Sequence, residues 1–297
     1  MDWDKLKTFH AAAEAGSLTG AADSLLLSQS AVSRQLAALE DVLGVKLFHR
    51  HARGLIPTEP GRLLHEITKE IAAKVALARS VVDDSHDNPS GDLRVTAPTA
   101  LGAIWLAPRI AKFREAYPDI RVHLLLDDHE FDIAGLEADC AIRPWESTQN
   151  DVIQRKLLTA RQHLFASQEY LDREGVPGSA DALDDHQIIR YGPPQMAPIR
   201  NLEWAAGIGR KPGDPPRPAV MEANTIYAIV KAVESGIGIA GLPDYVTRGH
   251  DTLVRVLPDL EGPSFDVYFV YPGELRGSSR LSVFRDFLLK EAKEWES

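Results

Sequence analysis

The spacing of apolar residues changes once along this chain, at the polar decapeptide DDSHDNPSGD, 83–92. Before it, apolar residues recur every three or four positions. After it, short apolar runs alternate with helical stretches. A chain with two such periods cannot fold as one repeated layer. It calls for a helical N-terminal part and a separate α/β part behind it. Pro89 and Gly91 mark the decapeptide as the boundary between them.

The N-terminal part reads as short helices with explicit ends. Leu6, Phe9 and Ala13 fall on one face, and Gly16 closes that helix. Ser17 caps a second helix, SLTGAADSLL, whose Ala21 and Ala22 permit close packing. Ser28 caps a third, SQSAVSRQLAALEDVLG, with Val32, Leu36, Leu39 and Leu43 on one stripe and Gly44 at its end. KLFHRHARGLIPT then reads as a β-ribbon. Over 59–86 one long helix is expected. Its apolar residues Leu64, Ile67, Ile71, Val75, Ala78 and Val82 form a heptad-like seam, which asks for a partner helix.

Beyond the decapeptide, LRVTAP, IRVHLLLDD and ADCAIRP read as strands, and ALGAIWLAPRIAKFREAYP as a helix. HLFASQEYL, HQIIRYG, a helix around TIYAIVKAVES, IGIAGLP, FDVYFVYP and a final helix, RLSVFRDFLLKEA, follow. Such alternation predicts an α/β fold with a mostly parallel sheet. GRKPGDPPRP, 209–218, reads as a surface loop.

One motif invites a different reading. Gly236, Gly238 and Gly241 carry the G-x-G-x-x-G spacing of a dinucleotide-binding turn. That turn must follow a strand and open a helix, so that the helix N-terminus meets a pyrophosphate. In this chain a helix precedes the glycines and a strand follows. The order is inverted, and Gly236 fits the position just past a helix end.

The second and third helices, joined by a short turn, form a helix-turn-helix pattern. The N-terminal end of the second of this pair would enter the major groove. Gln29, Ser33 and Arg34 lie early on it, with Gln29 and Ser33 on one face. Gln suits the adenine N6/N7 edge and Arg the guanine O6/N7 edge, while Ser28, Ser30 and Ser33 can bond phosphates or bases. With Thr19 these make the candidate DNA-reading set. Residues 1–59 hold six Lys/Arg against seven Asp/Glu, so the domain is not basic overall. Yet 42–58 carries Lys46, Arg50 and Arg53 with no acid, a candidate phosphate clamp or minor-groove probe. An ordinary three-helix bundle with a solvated basic loop is the bland alternative.

Other classes find little support. The net charge is −10, which argues against a chain coated in nucleic-acid-binding surface but allows a local one. The single cysteine, Cys140, permits no internal disulfide and no multi-cysteine metal site, and reads as a small buried hydrophobe. MDWDKLKTFH is not a signal sequence, no stretch has the length of a membrane span, and a cytoplasmic protein is expected. His123 and His129 flank an aspartate pair, but alternation puts one on a strand and the other in the loop beyond. No Ser has a G-x-S-x-G setting. Neither a cofactor, a metal nor an enzymatic activity is expected.

FHAAAEAGSLTGAADSLLLSQSAVSRQLAALEDVLGVKLFHRHARGLIPTEPG, 9–61, resembles the winged helix-turn-helix of the LysR-type transcriptional regulators. VTAPTALGAIWLAPRIAKFREAYPDIRVHLLLDD, ADCAIRP and NTIYAIVKAVESGIGIAGLPDYV are similar to that family's effector domain. The resemblance implies a winged helix-turn-helix over 1–59, a dimerisation helix over 60–88 and an effector domain over 89–297. The effector domain would be α/β and resemble periplasmic binding proteins, with a first lobe of about 92–163 and 266–297 and a second of about 164–265. It places Gln29, Ser33 and Arg34 on the groove-reading helix and Arg50 and Arg53 on the wing. It implies a homodimer or dimer of dimers on an inverted-repeat operator, with RNA polymerase as a further partner. Pro57 departs from the family's Leu-Thr-x-x-Gly, and Pro57 and Pro60 bracket the wing exit.

In such a two-lobed domain a small effector sits at the carboxyl ends of strands. Thr96, Pro98, Thr99 and Ala100 end the first strand and start its helix, where free backbone amides would favour a carboxylate. Asp128 and Arg143 end neighbouring strands, and Arg143 could pair an acidic ligand or sit in a surface salt bridge. Tyr191, Asn224 and Thr225 approach from the second lobe. Beside this regulator reading stand two others, a solute-binding protein and a thiol-responsive regulator using Cys140.

Overall fold

The computed structural model describes residues 2–51, 54–83, 88–192, 199, 201–211, 213–248, 250 and 252–296. They form two compact units, 1–82 and 83–297.

The first unit holds α1 (Trp3–Ala15), α2 (Leu18–Leu25), α3 (Gln29–Leu43), a ribbon of β1 (Phe48–His51) and β2 (Gly54–Pro57), and most of α4 (Glu59–Asp83). Each cap expected from the sequence is in place. Ser17 Oγ accepts from Gly20 N at 3.0 Å and Ser28 Oγ from Ala31 N at 3.2 Å. Gly16 and Gly44 close α1 and α3 in the left-handed conformation. Phe9, Val32, Leu36, Leu39, Leu47 and Leu55 make the core, and the Phe9 and Phe48 rings meet at 5.2 Å. The ribbon is seated on the α1–α2 turn. Leu55 N donates to Gly16 O at 2.7 Å, and Gly54, at φ 136°, lies where a Cβ would come within 2.5 Å of that same oxygen. Only glycine serves at Gly54.

The prolines do not blur the start of the long helix. Thr58 Oγ1 accepts from Gly61 N at 3.1 Å, and α4 begins at Glu59. Pro60 then falls in the first turn, where a missing N–H leaves no bond unmade. The apolar seam is divided: Leu64 packs on the domain core, while Ile67 and Val75 are exposed.

The second unit contains β3 (Gly91–Ala97), a π turn (Leu101–Leu106) leading into α5 (Ala107–Ala116), β4 (Ile120–Leu126), β5 (Cys140–Arg143), β6 (Val152–Ser167) and α6 (Gln168–Glu174). β7 (Ile188–Tyr191), α7 (Trp204–Gly207), β8 (Ala219–Ala223), α8 (Ile226–Glu234), β9 (Ala240–Pro243), β10 (Leu253–Val256), β11 (Ser264–Pro272) and α9 (Ser279–Glu296) complete it. The π turn sits just ahead of Pro108, which cannot donate to the helix ladder. A widened turn absorbs that missing bond without ending the helix.

The mostly parallel sheet is not what forms. The main sheet runs β10-β6-β11-β5-β3-β4, with β9 also on β6. Only β3–β4 and β3–β5 within it are parallel, whereas β5, β6, β9, β10 and β11 are joined antiparallel. The sixteen-residue β6 accounts for the difference. Its first part pairs β11, and its last part pairs β9 and β10. One strand thus serves two α/β lobes. In the second, the parallel pair β7–β8 connects to β9 through an Ile188–Ile239 bridge.

The glycine motif takes the inverted order. Gly236 has φ 72° just past α8, where an L side chain would be strained, and IGIAGLP leads into β9. The loop 209–218 is irregular over its described residues. It is anchored by buried Arg217, whose Nε donates to Asp184 Oδ1 at 2.6 Å.

Candidate DNA-reading surface and effector cleft

At the start of α3, Ser28 caps the helix with its own hydroxyl and stands 3.0 Å from Ser30 Oγ. Thr19, Gln29, Ser30 and Arg34 are exposed, and Ser33 is half-buried. The buried stripe of α3 is on the other side, at Val32, Leu36 and Leu39. An amphipathic helix turned this way keeps its first-turn polar groups available to base edges. Thr8 of α1 bonds Gln35, which steadies the helix without drawing on the outward set.

The wing differs from the sequence reading in one cation. Lys46 precedes the ribbon and is paired internally, with Nζ 2.7 Å from Glu40 Oε2. The other Glu40 oxygen accepts from Leu47 N at 2.9 Å. Burial alone would raise the Glu40 carboxyl, but the Lys46 ammonium and the Leu47 amide outweigh it and hold it below the ordinary glutamate value. Glu40 therefore ties the end of α3 to the residues leading into the ribbon, and Lys46 is engaged with it. Arg50 is on β1, paired with Leu55, and only its backbone is described. Arg53 lies outside the described residues.

In the second unit the carboxyl ends of β3, β4 and β5 converge. Arg143, at the end of β5, is 1% exposed. Its Nη2 donates to Thr96 Oγ1 at 3.0 Å and its Nη1 to the Asp127 carbonyl at 3.3 Å. Its Nε has no hydrogen-bond partner among the described residues. The guanidinium lies 5.9 Å from the Phe131 ring and 5.6 Å from that of Trp145. Of the two alternatives for Arg143, the surface salt bridge is not what forms: Arg143 is buried, and its hydrogen bonds go to neutral oxygens. Desolvation lowers its pKa to about 10, against the pull of the Glu130, Asp127 and Asp128 charges, so it stays a cation near neutrality.

One of the amides expected to be free at the helix start is taken. Thr99 N donates to Asp128 Oδ1 at 3.0 Å, so a carboxylate of the protein already occupies the position at the helix dipole. Pro98 and Ala100 are buried behind it and serve the turn.

In the second lobe, the Tyr191 hydroxyl donates to the Asn224 carbonyl at 2.6 Å, tying the end of β7 to the start of α8. Thr225 precedes α8 with no side-chain cap bond, and its Oγ1 is buried without a partner among the described residues. Burial, then the Asp128 charge, pushes the Tyr191 phenol up to about 12. Burial and the same charge also raise Tyr245. Asp128 is thus near enough to Tyr191 and Tyr245 of the second lobe for its charge to act on both phenols. The sequence reading missed Phe131, Trp145 and Tyr245. Trp145 lies in a bend just beyond the end of β5, after Pro144. Phe131 lies in a loop and Tyr245 in a single 3₁₀ turn, neither of which carries a period.

Elsewhere, His123 Nε2 pairs with Asp92 and His129 Nδ1 with Asp127, so these two histidines serve different carboxylates. Cys140 is buried in β5, and desolvation followed by Asp139 raises its thiol well above the ordinary value. That environment suppresses the thiolate a sensor needs. Among the described residues no helix is long and apolar enough to cross a membrane.

Comparison with known proteins agrees with both units. Residues 3–62 match the family model of the bacterial regulatory helix-turn-helix protein, lysR family, and residues 86–293 match the LysR substrate binding domain. An HTH-type transcriptional regulator of Xanthomonas campestris pv. campestris is 33% identical over 279 residues, covering 93% of this chain and 81% of that protein. CrgA of Neisseria meningitidis is 31% identical over 293 residues, covering 97% and 96%. The solved structure of CrgA superposes with a TM-score of 0.60 at 28% identity, covering 98% of this chain and 99% of that one. The full-length structure of the Vibrio cholerae virulence activator AphB gives 0.63 at 27% identity, covering 98% and 99%. The curated relatives are named as transcriptional regulators. This chain belongs to the LysR family of transcriptional regulators, with a helix-turn-helix DNA-binding domain ahead of a two-lobed, effector-binding α/β domain.

Proposed function

We propose that this regulator responds to a small organic acid whose carboxylate pairs with Arg143. The observation that carries the reading is a buried guanidinium held by neutral oxygens, with one N–H unpaired among the described residues. Burying an unpaired cation is costly, and an anionic ligand repays it with charge-assisted bonds. Thr96 and Thr99 flank the anion, Asp128 accepts from a donor group of the ligand, and Tyr191, Asn224 and Thr225 close from the second lobe. Effector binding then shifts a population between lobe and subunit arrangements.

On the DNA side, Gln29, Ser33 and Arg34 read bases, Ser28 and Ser30 bond phosphate, and Arg50 and Arg53 of the ribbon follow the backbone. The domain limits are 1–59, 60–88 and 89–297. Two chains pair through the exposed part of the α4 seam and present two α3 helices to an inverted repeat, as a dimer or dimer of dimers. RNA polymerase is the further partner on the promoter.

The test is a calorimetric titration of wild type and Arg143→Gln with small carboxylic acids and their amides. An acid that binds wild type should lose about 2–5 kcal/mol on Arg143→Gln or on amidation. Equal binding of acid and amide, or of both protein forms, removes the pairing.

A further inference from the structure

Three metal-type ligands meet between α1 and α4, on residues that belong to neither site above. His10 and Glu14 stand one helical turn apart on α1, and His65 faces them from α4. One nitrogen of each ring and one oxygen of Glu14 lie within 4.8 Å of one another. The His65 Nε2 to Glu14 Oε1 distance is 2.7 Å, and the two rings are 5.6 Å apart. Ligand atoms bound about 2.0–2.2 Å from a tetrahedral ion lie roughly 3.5 Å from each other. The observed spacings bracket that value, so small rotamer changes bring all three atoms onto one ion.

A simple His65–Glu14 ion pair explains two of these residues and leaves the third out. His10 brings a second imidazole to the same carboxylate, and two imidazolium rings this close would repel. A divalent cation uses both rings in their neutral form. Two imidazoles and one carboxylate form a borderline-soft donor set that suits zinc, with a fourth position for water. Thr68, buried on α4, donates its hydroxyl to the His65 carbonyl at 3.0 Å and lies 3.4 Å from His10 Nδ1. It thus meets the His10 ring directly, the position an outer-shell group takes at a metal site, and meets only the backbone of His65. A cavity of about 310 Å³, lined in part by Trp3, Lys7, His10, Thr68 and Val75, opens beside the group.

We propose that His10, Glu14 and His65 form a site for a divalent transition ion of the zinc class, which fastens α1 to the long helix. α1 packs on both α2 and α3. An ion at this point therefore fixes the attitude of the DNA-reading helix relative to α4, and makes DNA binding depend on metal supply.

The experiment uses the full-length protein stripped with a chelator and titrated with Co²⁺, then with Zn²⁺ as competitor and Mg²⁺ as control. One Co²⁺ per chain should bind with visible absorption bands of tetrahedral coordination, be displaced by Zn²⁺ and ignore Mg²⁺. His65→Gln, His10→Gln and Glu14→Gln should each weaken Zn²⁺ by at least about 100-fold, more than is common for losing an outer-shell partner. The double variant His49→Gln/His51→Gln, on the ribbon, should bind as wild type does. Circular dichroism checks that each variant folds. Glu14, whose side chain is 52% exposed, supplies the decisive variant if a histidine change disturbs packing. Absence of stoichiometric binding, or wild-type affinity in Glu14→Gln, overturns the site. So does loss of binding in the ribbon variant alone.

Discussion

Two helices of this protein begin beside candidate ligand contacts, and they are capped in opposite ways. α3 is capped by its own Ser28, three residues from the amide it serves. The helix that follows β3 has its Thr99 amide capped by Asp128, twenty-nine residues away on the far side of β4. The first arrangement is local and faces outward, so the side chains beyond it are available to DNA. The second is long-range, and the charge of its capping carboxylate also acts on Arg143, Tyr191 and Tyr245. The difference matches the tasks. A reading helix must present groups that are not otherwise engaged. A responsive cleft must couple its groups to one another and across two lobes.

The comparison can be broken at the place where the first unit stops being local, the seating of the ribbon on Gly16. Gly54→Ala should destabilise the protein by about 2 kcal/mol or more in denaturant unfolding, through a strained φ and a clash with backbone. A neutral result would mean that the ribbon is not held to the helices in this way.

Next in size is Arg34→Ala, which should lose about 1–3 kcal/mol of discrimination between operator and scrambled duplex while folding normally. Arg53→Ala should instead weaken all duplexes alike and flatten the salt slope by about one unit. Full operator preference in Arg34→Ala would show that α3 is misplaced as the reader.

The two caps can be set against each other directly. Ser28→Ala should cost about 1 kcal/mol of stability and weaken DNA binding, with effector binding unaltered. Asp128→Ala should change effector binding, leave intrinsic DNA affinity alone, and lower the Tyr191 pKa from about 12, because a nearby negative charge is removed. Tyrosinate absorbance against pH reads that shift, and an unchanged titration would separate Asp128 from the second lobe.

Glu40 sharpens the local side. Its folded pKa is depressed, so its contribution is complete above the unfolded glutamate value, about 4.3, and fades as pH falls through the folded value. Glu40→Gln should therefore be less stable than wild type near pH 7, with the gap closing in acid. A gap that widens in acid would contradict the bond to Lys46 and Leu47. The smallest effect is expected at Cys140: a thiol reagent should leave it unlabelled until the protein unfolds.

What was legible in the sequence follows the same line. Ser17, Ser28, Gly16 and Gly44 announce helix ends because capping acts over three or four residues, and all four do so in the structure. Gly236 was separable from a nucleotide motif because its neighbours on both sides have a period. The sheet was less legible. Only the end of β6 reads as a strand, since exposed Arg155, Lys156 and Arg161 interrupt its apolar pattern. Without β6 the chain reads as strand alternating with helix, and a parallel sheet follows from that mistake. In the cleft, the type of Arg143 was visible but its burial was not, because burial comes from Phe131, Trp145 and the sheet pairing. The taking of Thr99 N by Asp128 was hidden for a similar reason: both residues were recognised, and only the fold brings them together.

The measurement that tests the account most directly is fluorescence anisotropy of the full-length protein on the DNA just upstream of its own gene, at two salt concentrations, against a scrambled duplex. The account predicts tight binding that the scrambled duplex does not share, weakening as salt rises and losing its sequence preference in Arg34→Ala. No binding to either duplex at low salt would contradict it.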